Sequence, residues 1–410
     1  MTRRETSRLP GREIPGESRP DGWGVDRRRF LRLAAALPAA GAGVLGEGCA
    51  IDDGAPLPSP TPDPSPSPSP LGRPVPQVNG GINVQPVRRL DQDPNEGEPV
   101  IVPDLVALQL RAVYALGFDG MRITTPFGDR ANFLAAIPYV RAARAVGIDA
   151  VVVLHDFAGF TLAQALYDPA RRPDVLRLYA SVFAVPPPPA APGLPGLGPR
   201  GAGRIAFQVL NEPVHFLGIP ADVYVRDFLS PCYAELKAES PNVIVVSAAE
   251  VGNVDGARRM RSMLEAGLEG ACDRIAYHVY SRQAIPLLSG NVRGLVWVTE
   301  SGAAGTSQHL PWVRDTFPEI AAGIPDVSRI FYYQLFDRDP GVHRLLDIQP
   351  SGSGYRAVVE STALHAWFEG HVREAAAGGL LLSFDDLVPD VRAYFPTESD
   401  RRAYDSLARS

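Results

Sequence analysis

Short apolar runs recur along this chain and alternate with longer stretches of helical periodicity. The apolar runs cover residues 80–85, 120–124, 150–155, 204–208, 242–247, 274–280, 294–300 and 329–335. They are nearly continuous in apolar residues, which is typical of parallel strands that are covered on both faces. The stretches between them predict helices at about 104–116, 132–146, 173–183, 221–239, 255–268, 309–322 and 354–368, with a short return segment at 283–290.

This alternation predicts an α/β fold of eight strand–helix units, a (β/α)8 TIM barrel over about residues 77–370. Residues 371–410 are surplus to the barrel, and we expect them to form a short helical tail packed on it. A Pro-, Gly- and Ala-rich stretch, 186–199, lies between a helix and a strand. Such loops lie on the face of a barrel away from its site. We interpret the stretch as an inert insertion, with a partner-binding polyproline segment as the alternative.

Two of the predicted strands end in a glutamate. Asn211, Glu212 and Pro213 follow the run at 204–208, and Pro213 forces the chain to turn there. The run at 294–300 ends in Glu300, followed by small residues. An isolated Asn-Glu-Pro is explained equally well by a turn. Two strand-end glutamates in one barrel, however, are the minimum apparatus for cleaving a glycosidic bond.

The other strand ends carry further polar and aromatic side chains. They are Arg122, His155, Glu250, His278, Tyr280 and Tyr333. Each alone has a structural explanation, such as an ion pair, a helix cap or an amphipathic core aromatic. Active sites of barrels are built at the carboxyl ends of the strands. The set as a whole therefore predicts a site at one rim.

In these motifs the chain resembles the clan A glycoside hydrolases, retaining β/α-barrel enzymes that include cellulases, mannanases and xylosidases. The resemblance rests on Asn211-Glu212-Pro213, Thr299-Glu300-Ser301, Arg122, His155 and His278-Val279-Tyr280, and covers about residues 78–368. It departs from the family at strand eight, where Tyr333 stands in place of the common Trp, four residues before Asp337.

The resemblance implies a retaining glycosidase that acts on O-glycosidic bonds, most commonly β-linked ones. It implies that Glu212 is the acid/base and Glu300 the nucleophile, with the carboxyl groups about 5 Å apart and one pKa raised by repulsion. Substrate contacts would come from Arg122, His155, Asn211, His278, Tyr280 and Tyr333. Stacking on sugar faces would come from Phe127, Phe157, Phe216, Trp297 or Phe336, unless strand polarity turns these into the barrel wall.

The first fifty residues have the pattern of an export signal. Arg27-Arg28-Arg29 precedes an apolar run at 33–45, too short for a membrane span, and resembles a twin-arginine signal. Cys49 follows, as in lipidated bacterial lipoproteins, so lipidation at Cys49 and simple cleavage near Ala42 both fit. A Pro- and Ser-rich stretch at 51–76 predicts a disordered, semi-rigid linker. We therefore expect an extracellular or membrane-anchored protein.

Composition excludes some partners and cofactors. The net charge of −6 gives no reason to expect nucleic acid. Cys232 and Cys272 stand in no metal-ligand spacing; in an exported protein, a disulfide between them and two buried free thiols both fit. We expect no cofactor or metal, a carbohydrate as the partner, and a monomer.

Three other functions compete with that of a glycosidase. The alternatives are a carbohydrate-binding barrel lipoprotein without catalysis, an esterase and a metal-dependent hydrolase. No Gly-x-Ser-x-Gly motif supports an esterase. A metal-dependent barrel hydrolase is expected to have a His-x-His pattern at the end of the first strand, and this sequence has none there.

Overall fold

The computed structural model describes residues 79–84, 101–116, 118–155, 161–185, 202–289, 292, 295–303, 305–336, 345–351, 354–359, 388 and 390–408. All of them belong to one compact unit, Pro68–Ser410. The expected export signal, Cys49, the linker, the 186–199 insertion, Phe157 and Asp337 lie outside the described residues. The predictions made for them stay predictions. Among the described residues, no helix combines the length and apolar character needed to cross a bilayer.

The described core is a parallel eight-stranded sheet that curls into a barrel, as the sequence predicted. Neighbouring strands follow the order β5-β4-β3-β2-β1-β8-β7-β6, and a parallel bridge from Val246 to Arg274 joins the two edges. The strands are β1 (Asn79–Val84), β2 (Gly120–Pro126), β3 (Asp149–His155), β4 (Ile205–Val209), β5 (Ile244–Val246), β6 (Ile275–Val279), β7 (Val296–Ser301) and β8 (Val327–Tyr332).

Helices surround the sheet and bury its outer face. They span Pro103–Ala115, Arg130–Ala145, Thr161–Tyr167, Arg172–Tyr179, Pro213–Phe216, Ala221–Val223, Ser230–Glu239, Val254–Glu265, Ile285–Leu288, Thr306–Pro311 and Phe317–Gly323. Wider π-type turns continue three of them, at Ala180–Ala184, Tyr224–Leu229 and Trp312–Thr316. The Thr161–Tyr167 helix was not predicted.

The prediction of an eighth helix at 354–368 is wrong over its first turn and a half. Gly354–Val359 is instead a strand, β10, which pairs antiparallel with β9 (Leu346–Ser351). This hairpin follows β8, and Leu105 of the first helix clusters with Phe336 and Ile348 there. Tyr355 and the two valines at 358–359 favour extended backbone over helix, and Gly354 is a poor helix start.

Apolar side chains from several strands pack together inside the barrel. A separate apolar cluster there comprises Val151, Ala206, Ile244, Val246, Ala249, Ala276, Trp297 and Phe331. Gly81 of β1 has to be glycine, because an added Cβ would lie 2.3 Å from the Phe331 ring. Arg329 stacks on Trp297 and pairs with Asp149 at 3.0 Å. This packing leaves only part of the barrel interior for polar side chains.

The C-terminal tail packs on the outside of the barrel. Its helix, Glu398–Ala408, faces the Arg130–Ala145 helix. Asp400 pairs with Arg141 at 2.7 Å, and Tyr404 donates a hydrogen bond to the Phe127 carbonyl. Away from the tail, Cys232 and Cys272 are both free thiols. The tail is thus tied to the outside of the barrel by an ion pair and a hydrogen bond.

Candidate active site

All eight strands contribute a polar or aromatic side chain to the site; seven do so at, near or just beyond their carboxyl ends, whereas Arg122 is the third residue of β2 and not at a strand end as predicted. The contributing residues are Asn83, Arg122, His155, Asn211 with Glu212, Glu250, His278 with Tyr280, Glu300 and Tyr333. Glu212 follows the end of β4, whereas Glu300 is the penultimate residue of β7. The structure therefore brings the two glutamates to the same rim.

The chain at the end of β4 turns sharply. Leu210 has φ of 64° and Glu212 has φ of 46°, both in the left-handed region that residues other than glycine rarely occupy. Pro213 then starts a short helix, Pro213–Phe216, for which its fixed φ is suited. The backbone N–H of Glu212 donates to the Ala249 carbonyl beyond β5 at 3.0 Å. This turn directs the Glu212 carboxyl inward, and the residue is only 2% exposed.

The Glu300 carboxylate is held by two donors. Arg122 Nη1 donates to its Oε1 at 2.7 Å, and the Tyr280 hydroxyl donates to its Oε2 at 2.9 Å. Burial would raise the pKa of this carboxyl. The electrostatic attraction of His278 and Arg122, together with these hydrogen bonds, outweighs burial and holds the pKa below its ordinary value. Glu300 is therefore ionised near neutral pH.

Arg122 is the centre of the polar network under the site. Its guanidinium, 3% exposed, donates to Asn83 at 2.7 Å, to Gln208 at 2.9 Å and to Asn211 at 2.8 Å, besides Glu300. The planar fork of an arginine can serve several fixed acceptors at once, which a lysine cannot do. One side chain from β2 thus links the ends of β1, β4 and β7.

His278 lies between the two glutamates. Its Nδ1 is 2.7 Å from Oε1 of Glu212, and its Nε2 is 3.5 Å from Oε1 of Glu300. The two carboxylates and the imidazole each place an atom within 4.8 Å of the others. That spacing matches a retaining carboxylate pair and is shorter than the roughly 6.5–9.5 Å of an inverting one. Among the described residues, Oε2 of Glu212 is buried without a hydrogen-bond partner, so it is free to meet a ligand.

The remaining predicted site residues also reach this rim. His155 ends β3, and burial, followed by the charge of Arg122, lowers its pKa to about 4, so its ring is neutral near pH 7. Tyr333 directly follows β8, and its ring meets that of Tyr280 edge to face at 6.0 Å. Asn211 uses its oxygen on Arg122 and Gln208, which leaves its amide N–H groups for other partners.

Most of the aromatic residues predicted to stack on sugars do not face the site. Phe127 packs against Tyr404 of the tail, Phe336 lies under the β9–β10 hairpin, and Trp297 fills the barrel interior. They are wall or core residues, because strand polarity turns them away from the rim. Phe216 differs: it is 58% exposed, four residues after Glu212.

Glu212, His278 and Glu300 together have the geometry of a metal-ligand set. The guanidinium of Arg122 already contacts the Glu300 oxygen that is nearer to His278. A divalent cation on that oxygen would lie beside a fixed positive charge in a buried site, where the repulsion is weakly screened. The donors therefore suit proton transfer better than metal binding.

Three residues have roles at this site that were not predicted from the sequence: Asn83, Gln208 and Glu250. Asn83 and Gln208 accept hydrogen bonds from Arg122, and Glu250 binds the backbone that follows Glu212. The available signal was polarity inside strands that are otherwise apolar, since a buried polar side chain needs a partner. Gln208, the fully buried penultimate residue of β4, is the clearest example.

No family model and no curated protein matches the sequence. Solved structures with a similar fold include an endo-beta-1,4-mannanase from Thermotoga petrophila, at 12% identity and a TM-score of 0.47 over 74% of this chain and 78% of that one. A GH5 xyloglucan-specific endo-beta-1,4-glucanase from a metagenomic library has 13% identity and a TM-score of 0.46 over 82% and 98%. The catalytic domain of GH30 xylanase C from Talaromyces cellulolyticus has 14% identity and a TM-score of 0.45 over 72% and 76%. Likenesses this distant say nothing about activity.

Proposed function

We propose that this protein is a retaining glycoside hydrolase that cleaves O-glycosidic bonds, β-linked ones in oligo- or polysaccharides, by double displacement. The observation that supports it is the buried pair Glu212 and Glu300, with carboxylate oxygens within 4.8 Å of each other at one rim. Their surroundings differ in the way the mechanism needs. Glu300 is held ionised by Arg122 and Tyr280, while Glu212 has a free buried oxygen.

In the first step the Glu300 carboxylate attacks the anomeric carbon and forms a glycosyl ester. The bond to the leaving oxygen breaks, and Glu212 transfers its proton to that oxygen. In the second step Glu212, now a carboxylate, takes a proton from water. The water oxygen attacks the same carbon and releases Glu300. Two inversions give net retention of the anomeric configuration.

The surrounding groups support this chemistry through charge and hydrogen bonding. Arg122 and Tyr280 keep Glu300 anionic and oriented, as a nucleophile must be. His278 contacts Glu212 directly and Glu300 more distantly, so its ring remains beside both carboxylates when the proton leaves Glu212. Asn211 offers an amide N–H to a sugar hydroxyl, where contacts that tighten in the transition state lower the barrier.

Azide rescue tests the proposal and the assignment of the two roles. The substrates are dinitrophenyl β-cellobioside, β-mannobioside and β-xylobioside, whose leaving groups need little protonation. Glu300→Ala removes the nucleophile, so azide should restore cleavage and give a glycosyl azide of inverted configuration. Glu212→Ala leaves the nucleophile, so azide should attack the intermediate and give retained configuration.

The matched control is Glu235→Ala on the outer helix Ser230–Glu239, where Glu235 pairs with Arg172. It should leave turnover unchanged. Exchanged configurations of the two azide products would mean that the roles are reversed. Sugar binding by the wild-type protein without turnover of any substrate would instead favour a carbohydrate-binding barrel without catalysis.

A further inference from the structure

Glu250 is a buried carboxylate that the mechanism above does not use. It follows β5, four residues after Val246, and its side chain is fully buried. One oxygen accepts the backbone N–H of Val214 at 2.8 Å, and the other accepts that of His215 at 3.2 Å. Burial of a carboxylate is costly unless it is paired and hydrogen-bonded. A buried carboxylate at this position therefore calls for a structural or functional explanation.

The two amides that Glu250 binds belong to the turn that carries Glu212. The turn is conformationally strained, because Glu212 has a left-handed backbone at φ 46° and ψ 51°. Such a conformation is unfavourable for a residue other than glycine and persists only where its surroundings fix it. Ala249 and Glu250 supply that fixation from one short segment: the Ala249 carbonyl accepts the Glu212 N–H, and Glu250 accepts the next two free amides.

The same segment also reaches the partner of the second glutamate. The carbonyl of Gly252 accepts the backbone N–H of Tyr280 at 2.8 Å. A Cβ at Gly252 would lie 2.6 Å from that nitrogen, so this close approach requires glycine. The segment Ala249–Gly252 therefore contacts the backbone of both Glu212 and Tyr280.

We infer that Glu250 is a positioning residue for the reaction, which holds the Glu212 carboxyl in line with the leaving oxygen by clamping the turn at Pro213–His215. The inference rests on the proposed function, because it concerns proton donation by Glu212. Glu250 itself touches neither the other carboxylates nor the space above them among the contacts that the described residues make.

The charged groups around Glu250 make this clamp sensitive to pH. Burial, together with the nearby charge of Glu212, raises the pKa of Glu250 to about 7, although the Val214 amide, Arg259 and His278 oppose the increase. Arg259 is 3.7 Å away and also contacts the His215 ring at 3.1 Å. Once protonated, Glu250 has one oxygen that carries hydrogen and accepts the His215 or Val214 amide poorly, so the clamp weakens below neutral pH.

The test compares leaving groups, because only a defect in proton donation depends on them. Dinitrophenyl, nitrophenyl and phenyl β-cellobiosides, mannobiosides and xylobiosides are assayed with wild type, Glu250→Gln and Glu212→Gln. The Gln variant keeps the shape but cannot accept two amides. For Glu250→Gln we expect kcat/KM to fall by less than about 3-fold with dinitrophenyl glycosides and by about 30-fold or more with phenyl glycosides. Glu212→Gln should show the same dependence on the leaving group.

Glu235→Gln is the matched control, since it makes the same substitution in an ion pair on an outer helix. A change near pH 7 in the leaving-group dependence of the wild type should also disappear in Glu250→Gln. If Glu250→Gln does not fold, Glu250→Asp is used. Its shorter carboxylate keeps the charge but cannot reach both amides, and the same leaving-group dependence is expected in weaker form.

Three results would overturn the inference. Equal losses for all leaving groups in a folded Glu250 variant would mean a general structural role. No loss at all would mean that the clamp is not needed. Wild-type protein that cleaves none of these glycosides would overturn the proposed function and this inference together, whereas active wild type with a flat leaving-group response overturns only this one.

Discussion

Replacing Arg122 by methionine should be among the most damaging single changes in this protein. Methionine keeps much of the length of the side chain but removes the charge and every donor. The guanidinium binds the Glu300 carboxylate and three amide oxygens, those of Asn83, Gln208 and Asn211. Its loss would leave four acceptors without this donor in a part of the barrel where Arg122 itself is 3% exposed.

The expected cost follows from the burial of these groups. Removing one partner of a buried ion pair costs about 3–5 kcal/mol, because the remaining charge is uncompensated. An amide oxygen left without a donor adds roughly 1 kcal/mol or more where water cannot enter. Asn211 is only half-buried and recovers part of this from solvent. The total, about 5 kcal/mol or more, is comparable with the whole stability of an ordinary domain, about 5–15 kcal/mol.

Denaturant unfolding of a double-mutant cycle measures the part due to charge. The four proteins are wild type, Arg122→Met, Glu300→Gln and the double variant, followed by circular dichroism. Glu300→Gln removes the carboxylate charge, so the methionine should then be better tolerated. We expect Arg122→Met to cost about 2–3 kcal/mol less in the Glu300→Gln background than in wild type. Arg122→Lys should be intermediate, since it keeps the charge but cannot serve four acceptors.

Additivity would refute this reasoning. If the two changes add to within about 0.5 kcal/mol, the Arg122 guanidinium does not stabilise the protein through the charge of Glu300. Equal stability of Arg122→Lys and wild type would show in turn that the fork to Asn83, Gln208 and Asn211 contributes nothing.

Two further predictions concern Glu300 and the tail. Tyr280→Phe removes the hydroxyl that donates to Glu300 at 2.9 Å, so the pKa of Glu300 should rise and the acid limb of kcat/KM should move to higher pH; an unmoved limb would contradict this. Asp400→Asn should destabilise the protein by about 1–3 kcal/mol at neutral pH. Hydrogen bonds from Arg141 and Thr397 hold the pKa of Asp400 below its usual 3.8 despite burial, so this stabilisation is present above that pH and is lost as pH falls through the lower, folded-state value. Thermal melts at several pH values should therefore show the two proteins converging in acid, and a constant difference would contradict the assignment.

The barrel could be predicted because its strands carry a strong local signal. Runs that are buried on both faces are nearly continuous in apolar residues, and the observed β5, Ile244–Val246, lies within the predicted 242–247. The prediction of an eighth helix is wrong at its start because residues 354–359 form a strand. The partner strand, Leu346–Ser351, ends only three residues before Gly354, so the two form a hairpin, and Tyr355, Val358 and Val359 are residue types that favour a strand.

The meeting of the two glutamates at one rim could be predicted, but not all of the side-chain directions could be. Simple alternation along β7 would place Trp297 and Glu300 on opposite faces, yet both lie inside the barrel region. The strand pairing shifts register between Val298 and Ser301, and that of β6 shifts between Tyr277 and His278. An irregularity of this kind re-aims a side chain beside an active site. The period-two alternation of a strand sequence does not reveal where such a register shift occurs.

The geometry at the rim depends on how the strand ends are tied together more than on any single contact. Glu212 and Glu300 belong to strands that are not neighbours, β4 and β7. Arg122 joins them through Asn211 and Glu300, and His278, which is in register with Glu300, contacts both carboxylates. A retaining mechanism tolerates little change in the carboxylate spacing, since a wider gap admits a water between them. If the cross-links set that spacing, loss of Arg122 should lower turnover even with dinitrophenyl substrates, where Glu212 matters least, whereas loss of the Glu250 clamp should not.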